Sequence, residues 1–222
     1  MSEALQASLP IAIALALSPA PIIAIFILLM TPKAAINGPS FLAGWFGGIY
    51  TVGVIMFILP GMEEDHSDPT RLSGYIRVAL GLFLLIGALR YWLKRPKPGE
   101  TVPTPKIFLH IDRFGFWKSF FTGILFSVVN VKNFALSAAG ASTIDEVAQN
   151  DQGIYLDLAV FALIGSLMII LPIVVYTIAG KKIEGRFQYW KHWMIQNNHL
   201  LLIILLIVLG GVLIKGGLEI LG

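Results

Sequence analysis

The sequence predicts an all-α integral membrane protein: six transmembrane helices forming two inverted three-helix repeats, with both termini outside. Three observations predict it. Of the 222 residues, 56% are hydrophobic and only 13% charged, about half the charge of an average soluble domain. The charges fall in connections that alternate in sign. The apolar runs also repeat in order. With a mean hydropathy of +0.79, the chain has too little polar surface to enclose its apolar residues in water. In lipid, each segment must satisfy its own backbone groups, which selects helices.

Six apolar segments are long enough to cross about 30 Å of hydrocarbon, which takes about 20 residues. They lie near Leu9–Met30, Ser40–Pro60, Gly74–Leu93, Phe116–Gly140, Ile154–Gly180 and His199–Leu221. The chain reads as one membrane domain, with a first repeat over 1–95, a cytoplasmic linker over 96–114 and a second repeat over 115–222. Segment one is read as a span, not a cleaved signal: "MSEALQAS" before it has Glu3 and no Lys or Arg, and its apolar run is too long for a signal core.

Orientation follows from the connections. Connections one, three and five carry one, seven and four Lys/Arg, twelve of the sixteen in the chain. Connection two, "GMEEDHSDPTR", has four acids and one arginine, and connection four, "STIDEVAQNDQGIYLD", only acids. Lys and Arg excess marks the cytoplasmic side. Connection three has four prolines and is expected to be irregular and partly extended. In connection five, Phe187, Tyr189, Trp190, Trp193 and Met194 interleave with Arg186, Lys191 and His192. That pattern predicts a short helix in the headgroup layer, an aromatic and basic anchor in preference to a ligand site.

The repeat lies in the apolar runs. "GVIMFILP" (Gly53–Pro60) and "GSLMIILP" (Gly165–Pro172) match at five of eight positions, 112 residues apart. The same offset carries Ser18 onto Asn130, and an offset of 129 aligns "LGLFLLIG" (Leu80–Gly87) with "LGGVLIKG" (Leu209–Gly216). Halves of three spans each must be oppositely oriented, a construction typical of secondary transporters, whose sites lie where equivalent helices are interrupted at mid-membrane. Segment one is interrupted at "LSPAPI" (Leu17–Ile22), where Pro19 and Pro21 remove backbone donors. Segment four is interrupted at "VNVKNF" (Val129–Phe134). Pro172 is expected to kink segment five, as a hinge or merely as shape.

Lys132 is the sharpest feature. An ammonium at bilayer depth costs about 2.5–3.5 kcal/mol on insertion scales and is a functional candidate by default. The alternative is snorkelling to an interface, but apolar sequence continues to Ala141. No acid lies in the apolar core; Asp157 sits nearest the outer edge. The expected counter-ion is therefore an anionic substrate. Asn130 and Asn133 either bond that headgroup or satisfy the broken backbone. Ser18 either joins them or, as is commoner, bonds its own helix. Gly44, Gly47, Gly48 and Gly53 form a small-residue face whose ordinary reading is close helix packing, though it also allows a homodimer. The chain has no cysteine and no GxSxG, HExxH or P-loop, and its four histidines (His66, His110, His192, His199) lack metal-ligand spacing. No enzyme activity, metal, cofactor or nucleic-acid partner is expected.

"LSPAPIIAIFILLMTP", "GPSFLAGWFGG", "LGLFLLIGALRYWLKRPKPGE" and "VNVKNFALSAAGA" together resemble the GAP (glycolipid-addressing protein) family of the lysine-exporter (LysE) superfamily, over most of the chain. The resemblance implies a six-span LysE-like fold and translocation of a lipid-linked or glycolipid cargo across the cytoplasmic membrane. One departure is local: that family has Asn-Pro-Lys in segment four, where this chain has Val131. The expected substrate site is Lys132 with Asn130, Asn133 and Ser18, and with Pro19 and Pro21 shaping the opposing break. Two other functions fit the same sequence: a small-solute exporter for an amino acid or organic anion, and an accessory protein assisting a partner lipid-export machinery.

Overall fold

A computed structural model describes residues 2–58, 71–93, 114–148 and 153–222. Most of connections two and three, His66 and His110 among them, and the centre of connection four lie outside these residues. The described chain is helical, and the contacts divide it into two units: Met1–Pro60 with Thr104–His192, and Gly61–Pro103 with Trp193–Gly222.

In the first unit, α1 (Glu3–Ala16) and α2 (Pro19–Leu29) form segment one, bent by 56° at Leu17–Ser18. Ser2 caps α1, its Oγ accepting from the Leu5 N–H at 3.1 Å. The next helix, α3 (Ala34–Ile58), is unbroken and begins a turn and a half before the expected start of segment two. Segment four comprises α5 (Phe116–Ile124), a π-helical turn (Leu125–Val129) and α6 (Val131–Ala148), with a 69° bend at the junction. Segment five comprises α7 (Ile154–Gly165) and α8 (Leu167–Ala179), bent by 62°. That bend lies at Ser166, six residues before Pro172. Ser166 Oγ donates to the Ala162 carbonyl (2.7 Å), and the Ile169 N–H turns to Ser166 O instead of Gly165 O. Such back-bonding favours a bend. Ser40 makes the same bond in unbroken α3 (2.7 Å), and what is added at Ser166 is the Trp45 indole, which donates to the freed Gly165 carbonyl.

Glycines let α3 and α5 pack almost backbone to backbone. A Cβ at Gly44 would strike the Phe120 carbonyl, one at Gly123 the Phe41 carbonyl, and one at Gly48 the Ser127 side chain. The Gly44/Gly48 face is thus occupied within the chain, whereas Gly47 beside it meets open space. Around this contact the core is large and apolar, with Phe41, Trp45, Ile49 and Phe161 fully buried.

The second unit holds α4 (Arg71–Leu93) and most of α9 (Glu184–Leu221). They run antiparallel on glycines. A Cβ at Gly81 would lie 2.7 Å from the Gly210 carbonyl oxygen, and one at Gly217 would lie 2.7 Å from that of Gly74. Connection five and segment six are not separate helices. They form the single 38-residue α9. At its start Phe187 is fully buried against Phe26, while Tyr189 and Trp193 are exposed.

Among the described residues, α3 alone is long and apolar enough to cross a membrane as one helix. The three bent pairs bring the number to four, and Gly81–Leu93 is apolar but shorter. Large apolar side chains face outward, Phe83 at 70% and Ile178 at 82% exposure among them. Such a surface suits lipid and not water.

Candidate substrate site between two broken helices

The first break is written in the backbone chemistry of "LSPAP". Pro19 and Pro21 have no N–H, so the Leu15 and Leu17 carbonyls lose their helical donors. The Ser18 N–H recovers Leu15 O at 3.2 Å by tightening the last turn. The residue before a proline is pushed out of the helical region, and Ser18 is extended (φ −69°, ψ 115°). Pro19 then opens α2 at its first position, where a missing N–H costs nothing. Both prolines are buried.

The second break has a different cause, since Val131 stands where a proline would interrupt the helix. The chain first widens into the π turn, with Asn130 N–H donating to Leu125 O (3.3 Å). Asn130 is extended and caps the new helix, its Oδ1 accepting from the Lys132 N–H at 3.2 Å. One asparagine does the work of the missing proline.

The breaks meet. Lys132 Nζ donates to Ser18 Oγ at 2.8 Å, and Ser18 Oγ in turn donates to Asn133 Oδ1 at 2.7 Å. Asn133 Nδ2 donates to the Phe126 carbonyl (2.8 Å), which the π turn presents. Ser18 and Asn133 are fully buried; Lys132 is half-buried. Of the six expected site residues, Lys132, Ser18 and Asn133 share one hydrogen-bonded chain. Asn130 is turned to its own backbone, and Pro19 and Pro21 shape the opposing turn.

The electrostatics are one-sided. An ammonium has three donors and no acceptor, and Ser18 takes one of them. The one ion pair among the described residues is Lys215–Glu219, on the exposed face of α9. Asp157 is buried, but it accepts from Ser2 Oγ (2.7 Å) at the far end of α1. Ser2 and Ser18 are sixteen residues apart along that helix, about 24 Å, so Asp157 cannot neutralise Lys132. Among the described residues, no group of three or more His, Cys, Asp or Glu could hold a metal.

A third break adjoins the first two, in segment five at Ser166 and not at Pro172, where a kink is expected. The Gly165 carbonyl, freed at the α7–α8 bend, accepts from Trp45 Nε1 at 3.4 Å, and the space beside Gly165 is filled by Leu15 at the end of α1. The signal was available in the dipeptide "GS" at 165–166, six residues ahead of the more conspicuous Pro172.

Neither a curated protein nor a solved structure matches the chain significantly. A family model does, over residues 9–219, a stretch containing all three breaks and the Lys132–Ser18–Asn133 chain. With nearly its whole length matched, the protein belongs to the family described as Sap, sulfolipid-1-addressing protein.

Proposed function

We propose that this membrane protein translocates an amphipathic anionic lipid, binding its headgroup at Lys132 between the two broken helices. The carrying observation is the Lys132 ammonium: among the described residues its hydrogen-bond partner is the neutral Ser18 hydroxyl, and no carboxylate neutralises it. A charge held at depth without a fixed counter-ion is costly, and a cargo anion offsets that cost on arrival. The family description, which names the addressing of a sulfolipid, supports a lipid cargo over a small solute. The reading is of a transporter and not an enzyme.

The architecture belonging to this reading is six spans in two inverted, LysE-like repeats with outside termini. Its support is geometric. Aligned positions of the two halves meet: the Ser18 break meets the helix begun by Asn130, and Gly81 meets Gly210. Alternating access would then move one repeat against the other about this site.

Liposomes containing the purified protein and a fluorescent phosphatidylglycerol test the proposal, with external reductant reading the rate at which inner-leaflet lipid becomes exposed. Removing one partner of a buried charge pair costs about 2–5 kcal/mol, so Lys132→Ala slows flipping at least about tenfold. Lys132→Ala that folds and flips normally sinks the site. Efflux of a small organic anion without lipid flipping selects the solute-exporter reading. Flipping that needs an added partner selects the accessory one.

A further inference from the structure

Gly53 in α3 and Gly165 at the end of α7 are equivalent in the repeat, opening "GVIMFILP" and "GSLMIILP". Their backbones differ. α3 passes through its copy unbroken to Ile58, while α7 and α8 bend by 62° at Ser166. Both copies contain the glycine and the proline. The second also has Ser166, whose hydroxyl takes the Ala162 carbonyl; the first has Val54 in its place and no hydroxyl to do so.

The two helices are also disposed symmetrically. Trp45 of α3 meets Gly165, and Gly53 of α3 meets Leu158 of α7, so the helices run antiparallel. Midway between these contacts lie Ile49 and Phe161, both fully buried and equivalent at the 112-residue offset. Gly165 is four residues beyond that midpoint along α7, and Gly53 four residues beyond it along α3, about 6 Å in each case. Because the helices are antiparallel, the existing break and its unbroken equivalent lie on opposite sides of the midpoint.

We propose that Gly53–Val54 and Gly165–Ser166 are a matched hinge pair that exchanges its break during transport, α3 bending as the α7–α8 pair straightens. This rests on the inverted-repeat reading above. In such a repeat, the conformations of the two halves, once exchanged, generate the state open to the opposite side. On the α7–α8 side the hydrogen bonds can be exchanged. Straightening returns Gly165 O to the Ile169 N–H, which now bonds Ser166 O, and releases the Trp45 indole. Bending α3 frees the Gly53 carbonyl from its own helix, on the other side of the midpoint.

The test uses the full chain, which has no native cysteine, with spin labels at Leu156→Cys and Ile178→Cys, both highly exposed (68% and 82%). The bent pair sets about 28 Å between these Cα positions, and a straight helix about 33 Å. Double electron–electron resonance is expected to show a main population at the shorter distance. Ser166→Ala shifts it toward the longer. The deciding variant is Val54→Ser, on the other helix: giving α3 its missing hydroxyl shifts the α7–α8 distance up by about 5 Å. An unchanged distribution in folded Val54→Ser overturns the pair, whatever Ser166→Ala does. Should Val54→Ser not fold, Gly53→Ala with Leu158→Ala stiffens α3 while making room for the new methyl. That variant is expected to deplete the longer population, and no change overturns the proposal equally. No cargo is used, so a coupled hinge in a protein that moves no lipid refutes the proposed function and leaves the hinge standing.

Discussion

Ser18 joins the two breaks, and its energetics separate a structural role from a binding one. Interhelical hydrogen bonds in membranes average about 0.6 kcal/mol and reach about 1.7. Ser18→Ala removes the acceptor of Lys132 and the donor to Asn133 Oδ1, yet stability alone should fall by about 1.2 kcal/mol, and by no more than about 3.4, for two such bonds. Its main effect is expected on anionic-lipid affinity, read by the binding of a fluorescent phosphatidylglycerol to the protein in detergent. Asn130→Ala should behave oppositely. It deletes the cap on α6, worth about 0.5–2 kcal/mol, so the unfolding temperature drops while lipid affinity changes little. Equal affinity losses in both variants would contradict the division of labour between them. Lys132 was conspicuous in the sequence because few residues in the core are charged. The asparagines were not separable there, since three-residue spacing puts both on one helical face, and only the backbone turn at Asn130 decides which of them caps.

Among the elements, α3 shows how a motif is read correctly and incompletely. "GWFGG" promised a close-packing face, and Gly44 and Gly48 provide it, but against α5 and the π turn of the same chain. The sequence could not name that neighbour, because contact between residues as far apart as Gly44 and Phe120 depends on topology and not on pattern. Substitution separates the glycines. Gly44→Ala drives a methyl into the Phe120 carbonyl, backbone that cannot step aside, and overpacking costs about 1–3 kcal/mol or more. Gly47→Ala meets nothing within 4 Å and gains about 0.8–1.0 kcal/mol of helix propensity. Thermal unfolding in detergent should therefore fall for Gly44→Ala and hold or rise for Gly47→Ala. The bend in segment five was misplaced for a related reason. Pro172 is the louder helix breaker in sequence, but a proline within a span is tolerated when neighbours restore its bonds, whereas Ser166 and the Trp45 indole actively hold the carbonyls of Ala162 and Gly165.

For the whole molecule, the charge pattern makes the strongest demand. Positive connections one, three and five should share the cytoplasm, which sets every span and both termini. Much of that pattern lies in connections outside the described residues, so the test falls to exposed positions that flank them. Glu3, Lys33, Asp145 and Lys182 are all exposed, and the chain has no cysteine to compete with a probe. Single-cysteine variants at these four sites, treated in intact cells with a membrane-impermeant maleimide, report sidedness directly. Glu3→Cys and Asp145→Cys should label in intact cells; Lys33→Cys and Lys182→Cys should label only after lysis. Glu3 and Lys33 flank segment one, bent by 56° at its centre, and a bent pair either crosses the membrane or turns back. If both label from the same side, α1 and α2 are a re-entrant loop, the first half no longer has three spans, and the inverted repeat fails with it. Opposite labelling of that pair, and of Asp145 against Lys182 across the α7–α8 bend, is what two oppositely oriented halves require.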